Sequence, residues 1–533
     1  GLDSVEATTT HLRHLGTVAG GGRGPAAGLA TDGEVPGSYM HPVDRQDEAC
    51  ITIDDASTRD VDDAIVAHWD HEAGSAVEVA VHIADVAAYI GIDSPADHYA
   101  RTVATSTYFA VGPNAPMLDP ALSESTLSLL PNEERWAISV RFQVQPDGTV
   151  SDVSVEHVAV QSRAKLTYSA LDQWLDGDAT DLYELAGNAG ETAEDLLINA
   201  VEAAYRLGVE RESRDTFEEL FDDAELLPAV VDGKLTTIDA EPHARAYRLI
   251  ERLMVAANEA VAGWLVEREV PALYRAHVGL DPERAGRLRA AVELAGAKVE
   301  ALDDPQAEVD DVMGQLLREI ERLESEGRTD ARNLLVATAT GSTARATYDP
   351  DPMHHRGLAA GAYCHFTSPI RRYADLVVHR QIRATLAGEE VLHHVEDLAS
   401  LARWLDARAG AAKHLQARER GDLWAILIDR GLLRQPEDAV VTGVTNNGLR
   451  IRLPRLGLNG FLTAEKALGL SGRERGSLKV DEHGLTTTSG PWRVGSRIKV
   501  RATSLDETGR PVFHLVDPPK PPAPQPEAGA QTA

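Results

Sequence analysis

A chain of 533 residues is too long for one ordinary core and implies two to four domains, and its hydrophobic fraction of 43% is that of a globular protein. Two cysteines, Cys50 and Cys364, exclude a disulfide framework. Neither a roughly 18-residue apolar run nor a signal-peptide pattern is present, so a soluble cytoplasmic protein is expected. A net charge of −32 argues against a nucleic-acid partner only if it is evenly spread, because phosphates are bound by Lys and Arg. Residues 431–517 carry 13 Lys plus Arg against 9 Asp plus Glu, a net of +4, which leaves −36 for the remainder.

Residues 1–45, rich in Gly, Ala and Thr, read as a flexible arm. Then "ITIDDASTRDVDDAIV", Ile51 to Val66, sets Asp54, Asp55, Asp60, Asp62 and Asp63 between apolar flanks. Five carboxylates so close repel one another, and near a core each also loses hydration, so a cation is the natural counter-charge. All-oxygen ligands suit Mg2+ or Mn2+, whereas zinc draws on Cys and His. A solvated acidic loop is the alternative, weakened by the apolar brackets. An EF-hand fails on spacing: counted from Asp54, the sixth position is Arg59 instead of Gly and the twelfth is Ile65 instead of Glu.

Strands such as "VEVAVHIADVAAYI" and "AISVRFQVQ" alternate with long helices such as "RAYRLIERLMVAANEAVAGWLV", which predicts one large α+β domain over 46–390. In "GAYCHFTSPIRRYADLVVHRQI", Thr367 or Ser368 can cap a helix, Pro369 fits its first turn, and Ile370, Tyr373, Ala374, Val377 and Val378 form an apolar stripe. A helix starting there would aim its amides, Arg371 and Arg372 at one anion. The structural alternative pairs Arg371 with Asp375 at i+4. Carboxylates needing a metal and an Arg-bearing turn are together the parts of metal-assisted phosphodiester cleavage.

Residues 391–431 have helical periodicity and form a connection. From 432 to 517 the texture becomes short β runs with Gly turns, one at Asn446-Asn447-Gly448, which predicts a small all-β barrel. Arg450, Arg452, Arg455, Arg497, Lys499 and Arg501 mostly alternate along its strands and so share a face. The Pro- and Ala-rich tail 518–533 reads as disordered.

"TIDDASTRDVDDAI" together with "HFTSPIRRYADLVVHR" resembles the RNB catalytic domain of the ribonuclease II and ribonuclease R family. Further matches are "VAVHIADVAAYI", "TSTYFAVGPNAPMLDPALSESTLSLLP", "RLIERLMVAANEAVA" and "ALYRAH", in order over residues 46 to about 385. The basic barrel is similar to the S1-type OB fold that follows it in this family. The resemblance implies a processive, Mg2+-dependent 3′-to-5′ exoribonuclease that hydrolyses single-stranded RNA with a free 3′ end to nucleoside 5′-monophosphates, acting as a monomer in RNA turnover. The family aspartates fall on Asp54, Asp60, Asp62 and Asp63, which would hold one or two Mg2+ ions, with Mn2+ as a substitute. Asp62 is the member expected to matter most for chemistry. Arg371 matches the arginine on the scissile phosphate, with Arg372 beside it. Tyr108 aligns with the tyrosine that stacks on the 3′-terminal base, and Phe221 is a candidate second clamp. Arg450, Arg452, Arg497 and Lys499 would contact RNA from the barrel.

One departure and one rival qualify the match. The family usually carries two cold-shock folds before the RNB domain, and about 45 Gly-rich residues cannot form even one. A catalytically silent RNB relative that binds RNA as a regulator is the rival function, and it should have lost metal ligands, whereas all four aspartates and Arg371 are present.

Overall fold

The computed structural model describes residues 41–72, 74–214, 225–240, 243–277, 280–281, 284–304, 309–469, 477–488 and 491–517. The first 40 residues, Phe221 and the tail from 518 lie outside them. The chain divides into two compact units, one of residues 1–216, 241–278 and 345–417, the other of 217–240, 279–344 and 418–533.

In the first unit the strands are β1 Val43–Asp44, β2 Cys50–Asp54, β3 Asp63–His68, β4 Val77–Ala84, β5 Glu134–Val144 and β6 Val150–Thr167. They run in the order β1-β6-β2-β3-β4-β5, and β6 also pairs with β5. The eighteen residues of β6 make this possible. Its first part lies antiparallel to β5 from Val150 to Gln161, and its last residues run parallel to β2, with Asp54 opposite Thr167. Five strands therefore close on themselves, and the residues of β4 are covered on both sides. That is why β4 reads "VEVAVHIA", buried except at Glu78, instead of alternating with polar residues.

Helices α1 Pro95–Val103, α2 Tyr168–Leu175, α3 Gly190–Glu212, α4 Ala244–Glu267, α5 Tyr373–Ala387 and α6 Val395–Asp429 follow, α6 belonging to this unit as far as residue 417. Leu249, Ile250, Leu253, Ala257 and Val261 of α4 form one apolar stripe, and they share a core with Ile51, Ile65, Val81 and Ile138 of the strands.

Helix α5 begins at Tyr373, with Arg372 as an uncapped N-terminal residue, instead of at the Thr367–Pro369 start that local signals favour. Two side-chain bonds hold the segment before it as a turn. The Ser368 N–H donates to Asp375 Oδ1 at 2.8 Å and the Ile370 N–H to Asp62 Oδ1 at 2.9 Å, so these groups serve carboxylates and a non-helical turn.

The second unit contains helices Ala285–Ala295, Val309–Ser325 and Thr329–Ser342, the hairpin Leu226–Val231 with Lys234–Asp239, and a five-stranded antiparallel sheet. Its strands are β7 Glu437–Thr445, β8 Gly448–Leu453, β9 Leu458–Thr463, β10 Arg497–Leu505 and β11 Pro511–Asp517, in the order β9-β8-β7-β10-β11. The turn between β7 and β8 falls on Asn446 and Asn447, as the sequence suggests. Gly448 there has φ +150°, and a Cβ on it would lie 2.2 Å from the Leu462 carbonyl oxygen. The outermost strands approach closely, since a Cβ on Gly460 of β9 would lie 2.5 Å from the ring of Phe513 on β11. Along β10, Ile498, Val500 and Ala502 are buried while Arg497, Lys499 and Arg501 are exposed.

Candidate functional site

The aspartate loop joins β2 to β3. Asp54 ends β2, Asp63 opens β3, Asp60 and Asp62 lie between, and Asp55 points to solvent. Distant residues fix the path of the loop. The Val61 N–H donates to Ser128 Oγ at 3.0 Å, and the Ser128 hydroxyl donates to the Arg59 carbonyl at 2.7 Å. Leu129 N–H reaches the Val61 carbonyl and Ala84 N–H the Asp62 carbonyl, at 3.0 and 2.9 Å. The Lys165 ammonium donates to the Thr58 carbonyl. Ser128 is fully buried and follows a π-helical turn, Leu122–Thr126.

The Ser368–Asp375 turn supplies the other wall. Asp62, 4% exposed, takes the Ile370 amide on Oδ1 and faces Arg371 Nε from Oδ2 at 3.5 Å. Arg371 also donates to Ser368 Oγ at 2.9 Å, yet its side chain keeps 48% exposure, enough to meet a ligand. Arg372 points elsewhere: it makes a two-pronged pair with fully buried Asp375 at 2.8 and 2.7 Å. The partner of Asp375 is thus Arg372 at i+3, not Arg371. Asn258 of α4 holds the segment leading into this turn, accepting the Phe366 N–H at 2.8 Å and donating to the Tyr363 hydroxyl at 3.0 Å.

A third segment, Ala104–Tyr108, is laced to the turn. Ser106 N–H donates to the Arg371 carbonyl and Tyr373 N–H to the Ala104 carbonyl, both at 2.9 Å. Ala104 sits at φ +67°, a backbone region costly for a residue with a Cβ and held here by those bonds. Tyr108, 38% exposed, donates its hydroxyl to Asp60 Oδ2 at 2.7 Å. The structure therefore brings Asp54, Asp60, Asp62, Asp63, Tyr108 and Arg371 to one place, with Arg372 directed at Asp375.

The electrostatics show a deficit of positive charge. Burial, reinforced by the Asp63 carboxylate, pushes Asp54 up to about 8, against the pull of Lys165 and Arg371. Burial raises Asp63 to about 6 and Asp62 well above the usual carboxylate range, with Arg371 and, for Asp62, the Ile370 amide opposing. Burial and the bond to Asp60 raise the Tyr108 phenol. Two cations among four carboxylates are too few, and a hard divalent ion suits an all-oxygen donor set. No three of these aspartates bring oxygens within 4.8 Å of one another. Among the described residues, Asp93, Asp97 and His98 do, but Asp97 is already held by Arg380 at 2.6 Å and the Tyr373 hydroxyl at 2.8 Å, an anchor for α5.

Sequence reasoning did not single out Ser128, Asn258, Lys165 or Tyr168. Asn258 left a signal, being the polar residue on the buried stripe of α4. Tyr168, beside the β2–β6 junction, has its phenol raised by burial and by Asp63 and Asp54, and its ring lies 5.7 Å from that of Tyr247. Neither neighbour is visible from the local pattern.

Fold and site define a mixed α and β protein in which a closed strand ring presents an acidic loop to an arginine-bearing turn. The chain belongs to the RNB family, whose domain model matches residues 43–388. It is similar to Exoribonuclease 2 of Salmonella typhi, 32% identical over 422 residues covering 78% of this chain and 61% of that protein. It is likewise similar to Ribonuclease R of Thermotoga maritima, 30% identical over 433 residues covering 79% and 57%. The chain thus spans about three-fifths of the length of these curated relatives. Among solved structures, Mycoplasma genitalium RNase R in complex with ribose methylated single-stranded RNA superposes with a TM-score of 0.75 at 21% identity, over 90% of this chain and 72% of that one. Yeast Ssd1, a pseudonuclease, superposes with a TM-score of 0.61 at 18% identity, over 80% and 51%. At these identities the likeness is one of fold.

Proposed function

We propose that the chain is a processive 3′-to-5′ exoribonuclease that hydrolyses single-stranded RNA to nucleoside 5′-monophosphates. The observation that carries this is Asp62, buried between the Ile370 amide and Arg371 beside three further family aspartates. Asp54, Asp60, Asp62 and Asp63 would hold Mg2+, one ion or two, with Mn2+ as a substitute. The bound metal supplies positive charge to the phosphodiester and makes a water nucleophilic at neutral pH. The exposed guanidinium of Arg371 grips the scissile phosphate, and its hydrogen bond to Ser368 keeps it aimed. Tyr108 offers its ring to the last base, a sequence-tolerant contact suited to degrading any RNA. Its hydroxyl meanwhile orients Asp60, coupling the position of the base to that of the carboxylates.

The sheet of β7–β11 is read as an S1-type OB barrel, supported by its five antiparallel strands and the approach of β9 to β11. Arg450 and Arg452 on β8, with Arg497 and Lys499 on β10, flank β7, where Val440 is paired with both Arg452 and Arg497. RNA is proposed to lie across that face, although Arg497 reaches Asp330 at 3.1 Å and Lys499 reaches Asp438 at 2.9 Å. Buried free thiols at Cys50 and Cys364 fit a reducing cytoplasm, and among the described residues no helix is long and apolar enough to cross a membrane. The protein is taken to act as a monomer.

The test is a 5′-labelled single-stranded RNA of about 30 nucleotides incubated with Mg2+, with chelator, or with Asp62→Asn, resolved on a denaturing gel. A metal-dependent ladder or short limit product that Asp62→Asn does not make supports the reading. RNA left intact by the unmodified chain yet retarded on a native gel would instead favour the silent RNA-binding relative.

A further inference from the structure

In a chain of net charge −32 most arginines are matched by acids: Arg141 by Glu48 and Glu78, Arg206 by Glu202, Arg211 and Arg214 by Glu259, Arg322 by Glu319 and Glu326. One patch of the first unit departs from this. Arg101, Arg403, Arg408 and Lys413 have no carboxylate partner among the described residues. Arg101, Arg403 and Arg408 neighbour Trp404 of α6, which is 44% exposed, whereas Lys413, nine residues on, falls on the opposite side of the helix. Of the acids nearby, Asp406 is bound to Arg275 at 3.0 Å and Asp97 to Arg380 at 2.6 Å, while Asp397 lies two turns before Trp404.

The indole is exposed but not loose. Its Nε1–H donates to the Arg101 carbonyl at 2.9 Å, which fixes the ring, and Arg408, one turn on, sets its guanidinium 5.7 Å from the ring centroid. Ala407 and Ala411, on the same side of the helix and exposed, leave the indole open to a flat partner. Twelve residues further along α6, about 18 Å at 1.5 Å per residue, Gln416 donates to the Tyr108 carbonyl at 3.1 Å. The patch is thus carried on the helix that touches the proposed 3′-terminal base platform, beyond the reach of a strand of two or three nucleotides.

We propose that Trp404 with Arg101, Arg403 and Arg408 forms a second RNA contact, where an upstream base stacks on the indole and the cations bind the phosphates around it. The inference rests on the exoribonuclease reading. Charge complementarity chooses the occupant: unmatched cations in an otherwise acidic chain suit a polyanion, and a pinned aromatic face suits any base.

The experiment uses the Asp62→Asn chain with Mg2+ and measures fluorescence anisotropy of labelled single-stranded RNAs of 3 and 20 nucleotides over a range of salt. Adding Trp404→Ala should weaken binding of the 20-mer by about five- to tenfold and leave the 3-mer unchanged. Adding Arg101→Gln with Arg403→Gln, which keeps the bond from the indole to the Arg101 carbonyl, should weaken the 20-mer likewise. It should also make the log–log salt slope shallower by about 1.4, at about 0.7 for each of two phosphates. Trp404→Phe, which keeps a stacking face but loses the bond to Arg101, should retain most of the affinity. Unchanged 20-mer affinity in both the Ala and the Gln variants overturns the proposal and leaves the patch to a protein contact. Equal loss on both lengths also overturns it, because Trp404 would then act through the Tyr108 segment. An Asp62→Asn chain that binds neither RNA overturns both this inference and the reading beneath it.

Discussion

Asp375→Asn should cripple the site without touching any residue proposed to meet substrate. The carboxylate is fully buried, takes the Ser368 amide at 2.8 Å and holds Arg372 by two bonds at 2.8 and 2.7 Å. Asparagine keeps the shape but turns one acceptor into a donor facing a guanidinium, and it removes the counter-charge. Breaking a buried pair from one side costs roughly 3–5 kcal/mol, and the 25% exposure retained by Arg372 places this case near the lower end, about 3 kcal/mol. In a unit of this size that corresponds to a melting temperature lower by on the order of 5 °C. The loosened turn also carries the Ile370 amide on Asp62 and the guanidinium of Arg371, so hydrolysis should fall by about 100-fold, the usual consequence of misplacing a reacting group by about 1 Å. Thermal melts and single-turnover hydrolysis should be measured on Asp375→Asn, Arg372→Gln and the double variant. Coupled residues should give a double variant less damaged than the sum of the singles, by about 1–3 kcal/mol. A variant with unchanged melting and rate, or strictly additive losses, would refute the account of the turn.

Ser128→Ala leaves the buried Val61 N–H and Arg59 carbonyl without their partner; a loss of about 2 kcal/mol in urea titrations and a slower enzyme are expected, and unchanged stability would show the loop is held by other bonds. Tyr108→Phe keeps the ring but frees Asp60, so it should slow hydrolysis roughly tenfold without altering the final product length, whereas Tyr108→Ala should alter that length. His82 is fully buried, its ring nitrogens have no partner, and burial lowers it from 6.5 to about 3. Being depressed, it favours the native state at neutral pH and costs stability as pH falls below 6.5, because the unfolded chain then binds a proton that the native one does not. Over the 1.5 pH units down to pH 5 that amounts to about 2 kcal/mol, a loss His82→Leu should remove from the pH dependence of the urea midpoint. Asp54 has the opposite sign: raised to about 8, it favours the native state at low pH and loses that contribution as pH rises. Mg2+ should therefore raise the melting temperature more at pH 8 than at pH 5.5, and equal gains would count against these carboxylates as ligands.

The sequence by itself determined whatever is local or compositional. Five aspartates fall within ten residues, and wherever a fold buries them their charge calls for a cation. Alternation along β8 and β10 decided which side chains face the core, because side chains in a strand point to opposite faces in turn; Ile451 and Ile498 are buried between exposed or half-exposed basic neighbours. The helices α4 and α6 were legible from their 3.6-residue stripes.

Only the tertiary structure decided the rest. It starts α5 at Tyr373, gives Asp375 to Arg372 and frees Arg371 for Asp62. It pegs the aspartate loop on Ser128, 67 residues away, and seats Asp62 on an amide 308 residues away. The physical reason is that these bonds use backbone amides and carbonyls, which almost every residue carries, so no residue type announces them. Helix-start signals at Thr367, Ser368 and Pro369 were sound locally, but Asp62 and Asp375 take the Ile370 and Ser368 amides that a capping side chain would otherwise serve.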